Sequence, residues 1–308
     1  MIKETVLEKL LKQNEGRHLG DLCGWGIHGE HLQTEVKIIS ERLGISEDLG
    51  LPYVSASSAY RRAVNDAVKS GRSDERKLQA VKVEDTETKI VHAVVRSLLT
   101  EAPVPGLSSN DADFEQILKV GFDKDGYKNG RDPSVLLQTE NDDHALSAKI
   151  RARYEELCVR YLPRDIRVAF QRAFEKWGAI RLLDHGGLWW VPAPYAEKVR
   201  AWKTFMGELN NTTVIIPVFD TEETINSLRE QSRQTLEAQL SEMMGDLEKF
   251  SKTDSTRVST LEKRLEMFDS LRTKIELHAA VLGMKQQELL DRLNDAKDGL
   301  AAAISGLA

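Results

Sequence analysis

From Thr221 to Gly299 the chain contains no proline, and apolar side chains fall at Leu236, Leu240, Met243, Leu247 and Phe250 in alternating steps of four and three. Such spacing keeps one face of an α-helix apolar over many turns, and a stripe of that length has to be covered by something. The polar run K-T-D-S-T interrupts it near Ser255, and Val258, Leu261, Leu265, Phe268, Leu271, Ile275, Leu282, Leu289, Leu293 and Leu300 resume it. The pattern predicts two long helices of unequal length over 221–308, folded as an antiparallel hairpin or forming one arm of an intermolecular coiled coil.

Upstream the periods are shorter and mixed. Ile2, Val6, Leu7, Leu10 and Leu11 predict a short amphipathic helix, and the glycine-rich stretch from Gly20 to Gly29 reads as a turn around a buried Trp25. Helices are expected at Leu32 to Leu43 and, behind a serine cap, at Ala59 to Val68. From Leu78 the period becomes two: L-Q-A-V-K-V, the turn E-D-T-E-T and K-I-V-H-A-V-V predict a strand, a turn and a strand. A second pair is expected at Phe114 to Phe122 and Ser134 to Gln138, joined by turn formers. Helices follow at His144 to Arg160, Pro163 to Trp177 and Glu197 to Leu209, with a hairpin at 179–192 and an apolar strand T-V-I-I-P-V-F. The expected class is α+β, antiparallel hairpins with helices, followed by a C-terminal helical hairpin or coiled coil. Three segments are expected: a helical region at 1–70, an α+β domain at 71–220 whose part 143–220 is winged-helix-like, and the tail at 221–308.

The hairpin carries adjacent indoles, Trp189 and Trp190, which must point to opposite faces of one strand. Trp190 is expected on the Phe170, Phe174 and Trp177 face of the preceding helix. Trp189 then lies under the next helix or offers a contact surface.

A formal charge of −6 rules out global attraction to nucleic acid or an anionic membrane, so any such contact needs a local patch. One exists between Lys149 and Arg181. There Lys149, Arg151, Arg153, Arg160, Arg164, Arg167, Arg172, Lys176 and Arg181 outnumber Glu155, Glu156, Asp165 and Glu175. Two helices and a hairpin are also the order of a winged helix, which makes Arg164, Arg167, Gln171, Arg172, Lys176, Arg181 and the wing-tip His185 candidates for contact with DNA. The other reading of the same charges is a solvated or protein-facing helix surface.

His18, Cys23, His28 and His31 crowd into fourteen residues and raise a zinc hypothesis, but structural sites present paired ligands and only His28 and His31 are close enough to pair. The loop from Asp123 lacks a third ligand before its glycine and the last ligand of a calcium loop, where Ser134 stands, and reads better as a reverse turn. Asp142 and Asp143 beside His144 fit a helix start better than acid/base catalysis. Phosphate-binding, nucleophile-elbow and zinc-protease motifs are absent, so neither catalysis nor a cofactor is expected. Two cysteines and no apolar run long enough to span a bilayer point to the cytoplasm and away from a membrane.

The stretch L-P-Y-V-S-A-S-S-A-Y-R-R-A-V, beginning at Leu51, and A-I-R-L-L-D-H-G-G-L-W-W-V-P, beginning at Ala179, resemble a family of prokaryotic and phage proteins that share an A-[FY]-R-R-A helix, this hairpin and a long helical tail. The resemblance runs from about Trp25 to the middle of the tail. It implies one α+β module with a helical appendage and carries no activity or functional residue. The leading expectation is therefore a non-enzymatic binding or assembly protein of phage, mobile-element or host-defence type, self-associating as a dimer or capturing a protein through its tail. Its contact residues would be Trp189, Leu261, Leu265, Phe268, Ile275 and Leu282. The alternative is a DNA-binding regulator that uses basic helices within 149–177 and the hairpin as wing.

Overall fold

The computed structural model describes residues 16–51, 54–70, 78–97, 114–140, 145–183, 187–251 and 258–305; within these, the side chains of 70, 97, 114, 246–251, 258–265 and 299–305 are not described. The helix expected at Ile2 to Leu11 and the Asp142, Asp143, His144 group lie outside the described residues. The fold is α+β, with antiparallel sheets and helices and a C-terminal helical hairpin. It comprises two compact units that do not follow the serial division at 70 and 220: the first takes 1–28, 37–50 and 166–308, the second 29–36 and 51–165.

The first unit is built on an antiparallel sheet in the order β10-β1-β9-β8, formed by β1 (His18–Gly26), β8 (Ile180–Arg181), β9 (Trp189–Pro192) and β10 (Thr212–Phe219). Strand β1 is the main correction to the sequence reading. Its glycines suggested a turn and a helical N-terminal region, yet it runs through the sheet interior, paired with β10 on one side and β9 on the other. Close approach explains Gly20. Its φ is +148°, and a Cβ there would stand 2.2 Å from the Val191 carbonyl oxygen.

Helices α6 (Pro163–Lys176, which begins in the second unit) and α7 (Ala196–Glu208) cover one face of this sheet. Their Phe170, Phe174 and Trp202 meet Trp25, and Phe174 also meets Trp189 with ring centroids 6.1 Å apart. The tail covers the other face: Leu19, Ile180, Trp190 and Val218 of the sheet are buried with Leu228 and Leu282. Both indoles are therefore buried, and the expected assignment is reversed. Trp189, 5% exposed, takes the α6 face, while Trp190 lies edge-on to His278 at 5.4 Å. Edge strand β10 leaves Val214 and Ile216 exposed, but Pro217 interrupts its donors and blunts it against strand addition.

The tail forms α8 (Glu222–Ser251), α9 (Val258–Leu282) and α10 (Gln287–Ser305). Thr221 caps α8 by accepting from the Thr224 amide, and Gly283 at φ +64° ends α9. The hairpin is present, and a third helix joins it. Leu236, Leu240 and Met243 of α8 pack with Phe268, Leu271 and Ile275 of α9 and with Leu289 and Leu293 of α10. Because the chain turns back twice, it covers its own stripe. Also in this unit are α1 (Gln33–Arg42, which begins in the second unit) and the one-turn α2 (Ser46–Leu49).

The second unit carries an antiparallel meander of β3 (Leu78–Asp85), β4 (Lys89–Ser97), β5 (Phe114–Asp123) and β6 (Leu137–Thr139). The first strand pair was legible in the alternation; of the second, the strand expected at Ser134 to Gln138 is a turn of 3-10 helix at Pro133–Val135 followed by the short β6. The calcium-like loop is instead a short helix, α4 (Lys124–Lys128), capped by Asp123 accepting from the Gly126 amide. Helices α3 (Ala56–Ser70) and α5 (Ala145–Val159) supply Tyr60 and Tyr154, which pack on Phe122 of the sheet. The Tyr60 hydroxyl donates to the Val120 carbonyl at 2.7 Å, and Arg62 makes a bidentate pair with Asp165 at 2.7 and 2.8 Å. The A-Y-R-R-A motif is thus a packing and anchoring element. A two-stranded pair, β2 (His31–Leu32) with β7 (Arg160–Tyr161), completes this unit.

Candidate functional site

The stripe on α9 is not wholly apolar. Between Leu271 and Leu282 the inward positions include Lys274 and His278, and both are buried. A charged or polar side chain there needs partners or it destabilises the packing.

His278 has them. Its Nε2 donates to the Gly178 carbonyl at 2.6 Å, leaving Nδ1 to accept from the Ser232 hydroxyl. Burial pushes its pKa down to about 4, the Gly178 bond opposes the shift, and Lys274 adds to it. Ser232 and His278 have the residue types of a nucleophile and its base, but both are fully buried. They act as a polar staple between α8, α9 and the turn after α6.

Lys274 is satisfied less well. It is 9% exposed, and its ammonium has one acceptor, Gln239 Oε1, at 3.4 Å; no ion pair to it is found among the described residues. Burial lowers its pKa to about 8, with Glu175 opposing. It lines a cavity of about 300 Å³ between α6, α8 and α9, with Met243, Met267 and Leu271 as apolar wall and Glu175, Gln239, Glu242 and Ser270 as polar rim. Glu175 is exposed as a whole residue, but protein atoms crowd its carboxyl and desolvation raises its pKa; Lys274 and Arg172 work the other way. The site is therefore concave and half apolar, with an amine and a carboxyl whose proton affinities are drawn toward each other.

Among the described residues, the contact residues expected on the tail do not form a surface. Phe268, Ile275 and Leu282 are buried inside the chain, as is Trp189, and the side chains of Leu261 and Leu265 lie outside the described residues. Over the described part of the stripe, the cover comes from tethered helices of the same chain.

The basic segment is divided. Arg153 is claimed by Glu30, Asp66 and Glu156, and Lys176 pairs with Asp48 at 3.0 Å. Arg164, Arg167 and Arg172 are exposed, Gln171 is half-buried and Arg181 is exposed. His185 lies outside the described residues. The hairpin is no free wing, because β9 uses its second edge to pair with β1.

The His and Cys cluster does not converge. His18 bonds Asp21 at 3.2 Å, His28 bonds Thr212 at 3.1 Å, His31 pairs in β2 of the second unit, and Cys23 is sealed in the sheet, where burial raises its pKa. Among the described residues, no three His, Cys, Asp or Glu side chains are placed to hold a metal ion. No described helix is long and apolar enough to cross a membrane.

No curated protein and no solved structure matches the chain. Residues 18–305, from the first strand to the end of the last helix, match a family model that takes sheet, meander and tail together. The chain belongs to that family, DUF6744, a family of unknown function.

Proposed function

We propose that the chain is a non-enzymatic binding protein that captures its partner through the helical tail, in a phage, mobile-element or host-defence setting. The observation behind this reading is the cavity between α6, α8 and α9. The tail spends its stripe on internal packing, and what it leaves open is concave, part apolar and furnished with a few convergent polar groups. Methionine walls suit such a role because the thioether adapts to varied shapes.

The chain has six methionines, which makes a direct test practical. With the methyl groups labelled with carbon-13, small fragments titrated into the full-length protein are expected to shift Met243 and Met267 and to leave the buried Met206 unmoved. A fragment set that shifts neither wall methionine overturns the reading.

A second reading, binding to duplex DNA, is favoured by one observation: Arg164 and Arg167 are exposed three residues apart on α6 and have no ion pair among the described residues. If they contact phosphates, binding weakens steeply with salt, and Arg164→Glu/Arg167→Glu reduces the logarithmic salt slope by about 2. A shift assay showing no binding at low salt removes this reading and leaves the first.

A further inference from the structure

We propose that the ligand taken by the tail cavity is a small carbonyl compound, an aldehyde or ketone without a strong charge, held as an imine on the Lys274 amine. This rests on the cavity being the capture site.

The lining argues against the alternatives. An anionic ligand would meet Lys274 but also the Glu175 and Glu242 carboxylates, and a cation would meet the Lys274 ammonium at the same wall. A neutral carbonyl avoids both conflicts, and its hydrocarbon part faces Met243, Met267 and Leu271. The amine is nine-tenths buried with one long hydrogen bond, so little has to be broken before it reacts. The cavity's size, about 300 Å³, limits the ligand to a small molecule.

The chemistry balances without a redox partner. The neutral amine's lone pair attacks the carbonyl carbon, the C=O electron pair goes to oxygen, and one of the two nitrogen protons passes to that oxygen. The carbinolamine formed then takes a second proton on its hydroxyl, which leaves as water while the nitrogen lone pair forms the C=N bond, and the nitrogen's remaining proton returns to the group that supplied it. Glu175, which lines the same cavity from α6, is the group to supply and recover the proton. Burial serves the first step by bringing the amine's pKa to about 8, so that an appreciable fraction is unprotonated near neutrality. The charged groups that line the cavity with it are Glu175 on α6, itself acted on by Arg172 one turn earlier, and Glu242 on α8; His278, one turn on along α9, stays neutral.

The test treats the full-length protein with benzaldehyde and cyanoborohydride and maps reduced adducts by peptide mass spectrometry. Lys274 is expected to be labelled at least about tenfold faster than the exposed Lys203 at neutral pH. Its labelling should level off above pH 8. Lys274→Met removes the adduct, and Met267→Trp, which fills the wall, slows labelling at Lys274 and not at Lys203, with thermal melting as the check on folding. Equal rates at the two lysines, or an adduct indifferent to Met267→Trp, overturn the proposal. Benzyl alcohol separates the two levels: if it shifts the Met243 and Met267 methyls and benzaldehyde gives no adduct, the cavity reading stands and the carbonyl ligand falls. If neither compound acts there, both fall.

Discussion

Deleting residues 221–308 is expected to unfold or aggregate the first unit, not to convert an assembled protein into a folded monomer. Among the described residues the tail covers one sheet face, where Leu19, Ile180, Trp190 and Val218 are at most 8% exposed. A buried tryptophan alone removes 150–250 Å² from water. Uncovering four such side chains forfeits on the order of 10 kcal/mol, comparable to the whole stability of a typical domain. The measurement is near-ultraviolet circular dichroism with sedimentation velocity on the truncated chain. A cooperative, native-like spectrum from a monodisperse truncation would show that the tail is a separable arm, and the intramolecular account of its stripe would fail.

Acid should destabilise the protein through His278, with most of the loss falling between pH 6.5 and pH 4. In the folded state its pKa is lowered to about 4 from 6.5, so the unfolded chain binds the proton more tightly. The contribution is therefore fully present above pH 6.5, and it is lost as pH falls through the folded value. A shift of that size corresponds to roughly 3 kcal/mol. Urea midpoints measured from pH 7.5 to pH 4 test it. The His278→Gln variant, which keeps a donor and an acceptor, should be less stable at pH 7.5 but show a flatter acid limb. An unchanged limb in the variant would place the titrating group elsewhere.

Much of the fold was legible because its cause is local. Leu78 to Val95 alternate and form a hairpin; Ile166, Phe170 and Phe174 recur at helical spacing and pack on the sheet beside them. The failures share a different cause. Strand β1 carries glycines at 20, 24 and 26, which read as a turn, but Gly20 is needed where the Val191 carbonyl crosses it, and the crossing chain lies 171 residues away. The stripe on α9 jumped from Ile275 to Leu282, and the position in step between them is His278, whose partner Ser232 stands one turn before Leu236 on α8. Polar residues on an apolar stripe were the available signal for the staple and for Lys274. Their spacing was on the page, but their partners on other helices were not.

By itself the sequence determined most of the helices, the hairpin from Leu78 and that a long apolar stripe must be covered, since these follow from side-chain period and polarity within one element, whereas strand β1 did not. The tertiary structure decided what covers each face. It put Trp189 against α6 and Trp190 against the tail, turned Phe268, Ile275 and Leu282 inward, and left Lys274 at the edge of a cavity. The physical reason is that periodicity specifies the polarity of a face and leaves its partner open; the partner is chosen by long-range packing, where tethered elements of the same chain compete at no cost in association entropy.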